Sequence, residues 1–498
     1  MTTSIARLLF FSILAAVLAC AVPQAEQWGM YEVTLSGPSA GNPFIETELR
    51  AVFTQGSRNV EVGGFYDGGG TYRLRFMPDS QGRWTWRSRS NRSELDGKTG
   101  ELTVAAPSVG NRGPVRVRNH THFAYADGTP YFPFGTTCYA WAHQGDALEE
   151  QTLATLRSEG FDKMRMTVFP KDYTWNKNEP VFYPFVRDVQ GKSDLTRFDP
   201  AFFRHFETRV GQLGAMGIEA DIILFHPYDR WGYSRMDEAS DLRYLGYLLA
   251  RLAAYRNVWW SAANEYDLFD RPEERWDRYF QFLQHNDPYN HLRSIHNGRR
   301  IYDHSKPWIT HVSIQYPDTM QMADWLAKWG KPVIDDECQY EGNVPDDWGS
   351  LPPQELVNRV WNGVISGGYV GHGETYLDPQ DVLWWSKGGV LKGESYKRMA
   401  FLRKLVEEVS EGIDPAPNDW LWRGYATGIQ GARHWAYYGV HQPSKANLAG
   451  LPDNRPYRVD IIDAWEMTLT TLPASYRGRA EVALPGKPYI AVRLRPAD

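Results

Sequence analysis

The sequence predicts a mixed α/β chain, a (β/α)8 TIM barrel flanked by two β-sandwich domains. Three observations carry this. Between about residues 115 and 410, eight short apolar runs alternate with helical patterns. On either side, short alternating strands break at Gly, Pro, Asn or Asp. The glycine-rich first turn of an open, doubly wound dinucleotide-binding sheet is missing.

The elements follow in order. Residues 8–19, LLFFSILAAVLA, form a long apolar run behind Arg7, too short for a comfortable membrane span. The run ends in small residues, as a secretory signal over 1–21 would. An exported protein follows: periplasmic, extracellular or held at the cell envelope. VLAC also fits a bacterial lipoprotein box, which would make Cys20 a lipid anchor; both readings stay open. Residues 27–108 read as the first sandwich, with GGFYDGGGTYRLRF supplying the glycines of a tight hairpin connection. PSVGNRGP then marks a linker. The barrel is expected over 115–410. Its strands are YFPFGTT, FDKMRMTVF, IEADIILF, VWWSAA, LRSIHN, ITHVSIQ, KPVIDDE and GYVGHGE. Among its helices, one opens on Asp199 as N-cap before Pro200. Another places Trp276, Tyr279, Phe280 and Leu283 on one face. β texture returns over 412–498 as the second sandwich.

Composition narrows the function. A formal net charge of −6 argues against a nucleic-acid surface. Twenty Trp and 28 Tyr suit packed β-rich cores, and equally suit stacking platforms for sugar rings. No cysteine or histidine spacing resembles a zinc site, and no phosphate-cradling loop or serine elbow is found. No metal and no cofactor are therefore expected. Cys138 and Cys338 both fall near predicted strand tips, where two free thiols are the simpler outcome and a disulfide is conceivable.

A barrel gathers its chemistry at the C-terminal ends of its strands. Here those ends carry Tyr139 and Trp141, Arg165, His226 with Tyr228, Asn264 with Glu265, His296, Gln315 with Tyr316, Asp336 with Glu337, and His372 with Glu374. Trp385 follows as a further stacking candidate. Two carboxylates, Glu265 and Glu337, close strands four and seven. Glycoside hydrolysis needs such a pair: one protonates the leaving oxygen, and the other attacks the anomeric carbon or activates water. A lone strand-end acid is more often a helix cap or half of an ion pair. Two such acids, each after a buried run and flanked by aromatics, point to catalysis.

Asn264-Glu265 after strand four, with a glutamate after strand seven, resembles the clan A retaining glycoside hydrolases. The whole layout is similar to apiosidase-like barrels, through YADGTPYFPFGTTCYAWAH and FDPAFFRHFETRVGQLGAMGIEADIILF. The flanks resemble the β-sandwich domains that accompany some of these barrels. The resemblance implies a carbohydrate substrate, Glu265 as acid/base and Glu337 as nucleophile. It implies that Asn264 meets the sugar 2-hydroxyl and that Tyr316 orients the nucleophile. Arg165 would hold Glu337 ionised, and His226 would line the sugar subsite. Asp335, Asp336 and Glu341 are rival acids in IDDECQYEG; Glu337 is preferred because it stands at the tip.

Trp141, His296, His372 and Trp385 are weaker candidates for substrate contact. A second reading is a non-catalytic carbohydrate-binding surface protein with a degenerate barrel.

Overall fold

The computed structural model describes residues 22–416, 425–448, 451 and 454–497. The expected leader, with Cys20, lies outside the described residues.

Residues 24–105 build one seven-stranded sheet. Its order is Gln24–Glu26, Thr99–Ala105, Gly82–Ser90, Leu49–Gln55, Arg58–Tyr66, Thr71–Phe76 and Tyr31–Ser36. The long strand Arg58–Tyr66 turns the sheet: its first half pairs with Leu49–Gln55 and its second half with Thr71–Phe76. Alternation then puts Trp84, Trp86 and Ser88 inside, with the residues between them exposed. Phe53 stacks on Phe76 at 4.1 Å in the core between the two halves. The expected hairpin is present: Gly68, Gly69 and Gly70 all have positive φ between Tyr66 and Thr71, a conformation that favours glycine.

Eight parallel strands form the centre: β1 Gly135–Thr137, β2 Lys163–Thr167, β3 Glu219–Ile223, β4 Val258–Ser261, β5 Arg293–Ser294, β6 Val312–Ile314, β7 Val333–Asp335 and β8 Tyr369–Val370. Strands β1 to β5 pair in sequence, as do β6 to β8. The two arcs meet twice. Thr310 N donates to Arg293 O at 3.0 Å beside β5, and Thr137 N donates to His372 O at 3.0 Å beyond β8. The strands thus run round a barrel whose C-terminal ends share one face.

Seven helices of eight residues or more cover it: α1 Asp146–Glu159, α2 Pro200–Ala215, α3 Glu238–Leu252, α4 Glu273–Asn286, α5 Met322–Trp329, α6 Pro353–Ile365 and α7 Ser395–Val406. Asp199 does cap α2, its carboxylate accepting from Ala201 N at 2.8 Å. Helix α4 buries Trp276, Tyr279, Phe280 and Leu283, as its 3.6-residue spacing requires.

Both flanks lock onto the barrel. Arg251, at the end of α3, bonds Asp67 at 2.9 Å and Glu207 at 3.1 Å, and Arg75 bonds Glu207 at 3.0 Å. On the other side a six-stranded sheet spans 414–496, with a separate pair made by Lys445–Leu448 and Ala480–Ala483. It packs on α6 through Trp361 and Tyr437, whose ring centroids lie 5.4 Å apart. Among the described residues no helix is long and apolar enough to cross a membrane. Cys138 and Cys338 are buried free thiols.

Candidate active site

A cleft of about 700 Å³ opens at the C-terminal ends of the strands. Asn264, Glu265, Tyr316, Glu337 and Trp385 line it, together with Lys171, Tyr173, Tyr228, Gln315, Tyr340 and Trp348.

Glu265 reaches the cleft through a bend. Beyond β4, Asn264 N donates to Phe225 O and Tyr266 N to His296 O, tying the chain to the loops after β3 and β5. Between them Glu265 takes φ 49° and ψ 54°, the left-handed region. For a non-glycine residue this costs roughly 1–2 kcal/mol. Such strain collects where function over-determines geometry. The Glu265 carboxylate accepts from Tyr228 OH and, at 3.3 Å, from Asn264 Nδ2. Asp267 fixes the neighbouring loop, accepting from the backbone N–H groups of Gly298, Arg299 and Arg300.

Glu337 lies two residues past the end of β7. Tyr139 and Tyr340 both donate to its Oε1, Tyr340 at 2.6 Å. Its Oε2 accepts no hydrogen bond from the described residues. Tyr139 OH also approaches Asn264 Oδ1 at 3.1 Å, so Asn264 and Tyr139 link the two acids.

The rival acids are committed elsewhere. Asp336 points into the barrel, bonding Lys163 Nζ at 2.7 Å and Ser313 Oγ at 2.6 Å. Asp335 is buried, with Tyr316 N directed at its Oδ1. Glu341 accepts the backbone N–H groups of Glu394 and Ser395 at the start of α7.

Several sequence expectations need correction. Arg165 is 1% exposed and does not neutralise Glu337. Its guanidinium lies 3.3 Å from Asn264 Oδ1 and 3.7 Å from Asp221, so its hydrogen bond to the site is made to Asn264. His226 bonds Phe169 O at 3.1 Å, bracing the loop after β2 instead of lining a subsite. His296 is buried away from the cleft. His372 shares a hydrogen bond with Thr136 Oγ1 at 2.9 Å and lies against Phe161. Trp141 is core, fully buried. Tyr316 lines the cleft at 39% exposure, but Tyr139 and Tyr340 hold Glu337 in its place.

Burial decides the protonation of both acids. It raises Glu265 above the usual carboxylate range, opposed by the Tyr228 hydrogen bond and the Lys171 charge. It pushes Glu337 up to about 7, which the Tyr340 hydrogen bond only partly offsets. The expected low pKa of Glu337 is therefore not found, because phenols face it where a cation was expected.

A family model for the apiosidase-like catalytic domain matches residues 117–411. The chain belongs to the apiosidase-like family. Two domains of unknown function match the flanks, at 24–91 and 422–495. The crystal structure of "a putative glycoside hydrolase from Bacteroides vulgatus ATCC 8482" is similar at 39% identity and TM-score 0.91, covering 95% of this chain and 100% of that one. A glycoside hydrolase family 5 structure from the same organism shares the fold at 15% identity and TM-score 0.60, over 77% of this chain and 94% of its own. No curated protein matches in sequence. This apiosidase-like chain is a glycoside hydrolase, and its partner is a carbohydrate. The reading as a non-catalytic sugar-capture protein gives way.

Proposed function

We propose that this apiosidase-like protein is a retaining glycoside hydrolase of poly- or oligosaccharides, with Glu337 as nucleophile and Glu265 as acid/base. In this reading a (β/α)8 TIM barrel carries the chemistry between two β-sandwiches, and residues 1–21 direct export. One observation carries the mechanism: two buried acids from the ends of β4 and β7 share one cleft and are linked through Asn264 and Tyr139.

The steps follow from the contacts. Tyr139 and Tyr340 hold Glu337 by Oε1, which leaves Oε2 to attack the anomeric carbon. Glu265, whose pKa burial raises, gives its proton to the leaving oxygen. The glycosyl ester on Glu337 is then hydrolysed by water that Glu265, now ionised, deprotonates. Asn264, between the two acids, is placed to bond the sugar 2-hydroxyl. Trp385 and Trp348, 5.0 Å apart, offer apolar faces beside the cleft. Retention requires carboxyl groups about 5–5.5 Å apart.

The test uses an activated aryl glycoside, whose leaving group needs little protonation. Glu265→Ala retains much of the first step, and added azide restores turnover with retained configuration. Glu337→Ala loses turnover, and azide restores it only with inverted configuration. Near-native turnover of Glu337→Ala would remove the nucleophile assignment.

A further inference from the structure

Lys171 is the buried amine of the cleft, its charge opposed by burial and supported by the charge of Glu265 without an ion pair to it. It follows β2 in a loop held by His226 through Phe169 O and by Asp172 N donating to Tyr228 O at 2.9 Å. The residue is 4% exposed and lines the cleft. Its ammonium sits over four rings: Tyr139 at 4.0 Å, Trp385 at 4.2 Å, Tyr228 at 4.5 Å and Tyr173 at 5.6 Å from the centroids. Among the described residues it makes no ion pair and donates no hydrogen bond to an oxygen.

Lys163, deeper in the barrel, is treated differently. It meets Asp221 at 2.8 Å and Asp336 at 2.7 Å. A buried ammonium normally needs such partners, because ring faces stabilise its charge without accepting its three N–H groups. The rings close the sides of the Lys171 site. Two of them, Tyr139 and Tyr228, are the phenols that bond Glu337 and Glu265, so the ammonium borders the space between the two acids.

We propose that Lys171 is a subsite for an anionic substituent on the sugar, a carboxylate or a sulfate ester, and that acidic saccharides are the substrate class. This rests on the glycosidase reading of the cleft but not on which acid plays which role. The anion supplies the acceptor oxygens that the aromatic box lacks, and the low local dielectric strengthens the pair. Burial favours the neutral forms of Glu265 and Glu337, which limits their repulsion of such a ligand; it also pushes the Lys171 amine down to about 7, and a bound anion would restore its charge.

Binding of free monosaccharides tests this without turnover, so a wrong assignment of the two acids cannot disguise the result. The probes are D-glucuronate and D-galacturonate, the 6-sulfates of glucose and galactose, and neutral glucose and galactose, each titrated into the full chain at low salt. At least one anionic probe is expected to bind about tenfold or more tighter than its neutral counterpart, ~1.4 kcal/mol. Comparing uronates with sulfates identifies the anion. Lys171→Met should abolish the preference and Lys171→Arg should keep part of it, with circular dichroism checking the fold of both. Equal binding of anionic and neutral probes, no binding by any anionic probe, or an undiminished preference in folded Lys171→Met would overturn the proposal.

Discussion

The barrel interior and the cleft above it both hold buried ionisable groups, but the two sets have different partners. Inside, charge meets charge: Lys163 bridges Asp221 and Asp336, and Arg165 sits 3.7 Å from Asp221. Burial alone would raise Asp336, yet Lys163 and Arg165 outweigh it and hold the carboxyl below its usual range. At the cleft, acids meet phenols: Tyr228 holds Glu265, while Tyr139 and Tyr340 hold Glu337. A phenol orients a carboxylate without fixing its charge. Asp336 is thus held ionised, whereas burial raises both cleft acids, Glu337 to about 7.

The strongest test of the contrast is removal of an acid from each set. Glu337→Gln should lower kcat by about 10³-fold or more, because charge stabilisation and covalent attack are both lost. It should leave the fold intact, since Gln can still accept from Tyr139 and Tyr340. In the interior, Lys163→Met strands Asp221 and Asp336 without their shared cation. A loss of about 3–5 kcal/mol in unfolding free energy is expected, the usual result of breaking a buried charge pair. Urea unfolding of both variants decides the matter. A stable Lys163→Met, or an unfolded Glu337→Gln, would break the proposed division.

What was legible in the sequence follows the same line. Each of the eight apolar runs contains a barrel strand, and the cap of α2 and buried face of α4 follow from local pattern. Glu265 and Glu337 were readable because an acid ending a buried run is chemically conspicuous. The histidines misled because a strand tip gives position without direction. One residue of register separates a side chain facing the cleft from one facing the barrel or its helices. His226 and His372 both turned inward, where burial drives their pKa values down to about 4 and about 3. Tyr139 and Tyr228 stood at expected strand ends, so their presence was signalled but not their role. Lys171, Tyr173 and Trp348 come from long loops, whose path no periodicity records. Tyr340 was hidden because β7 ends at Asp335 and strict alternation ends with it.

Glu219 extends the comparison to the opposite end of the barrel. It starts β3 with no cation within ion-pair distance among the described residues; Trp259 Nε1 donates to it at 3.0 Å. Burial pushes its pKa up to about 8, from an ordinary value of 4.5. The folded state therefore holds this proton more tightly than the unfolded chain does. Its contribution to stability is full below about 4.5, declines as pH rises, and is lost through about 8. Glu219→Gln, which is neutral at every pH, should flatten that part of the stability profile. Denaturant midpoints measured at pH 5 and pH 8 should differ less in the variant than in the wild type. An unchanged difference would mean that Glu219 is paired or hydrated in solution.

The smallest expected effect is also the most specific to the cleft. The Tyr340 hydrogen bond favours the ionised form of Glu337, opposing burial. In the free enzyme the acidic limb of kcat/KM should therefore fall near pH 7, where Glu337 loses its proton and becomes nucleophilic. Tyr340→Phe removes the opposing bond and leaves the burial. Glu337 should then need a higher pH to ionise, and the acidic limb should move upward, by about 0.5–1 pH unit if the bond favours the carboxylate over the acid by ~1 kcal/mol. Tyr139 still holds Oε1 in this variant, so kcat on the plateau should change much less than in Glu337→Gln. A pH–rate series on wild type and Tyr340→Phe measures both quantities. A limb that stays in place, or moves down, would show that Tyr340 serves packing alone. The phenol account of how the cleft acids differ from those in the interior would then fail at Glu337.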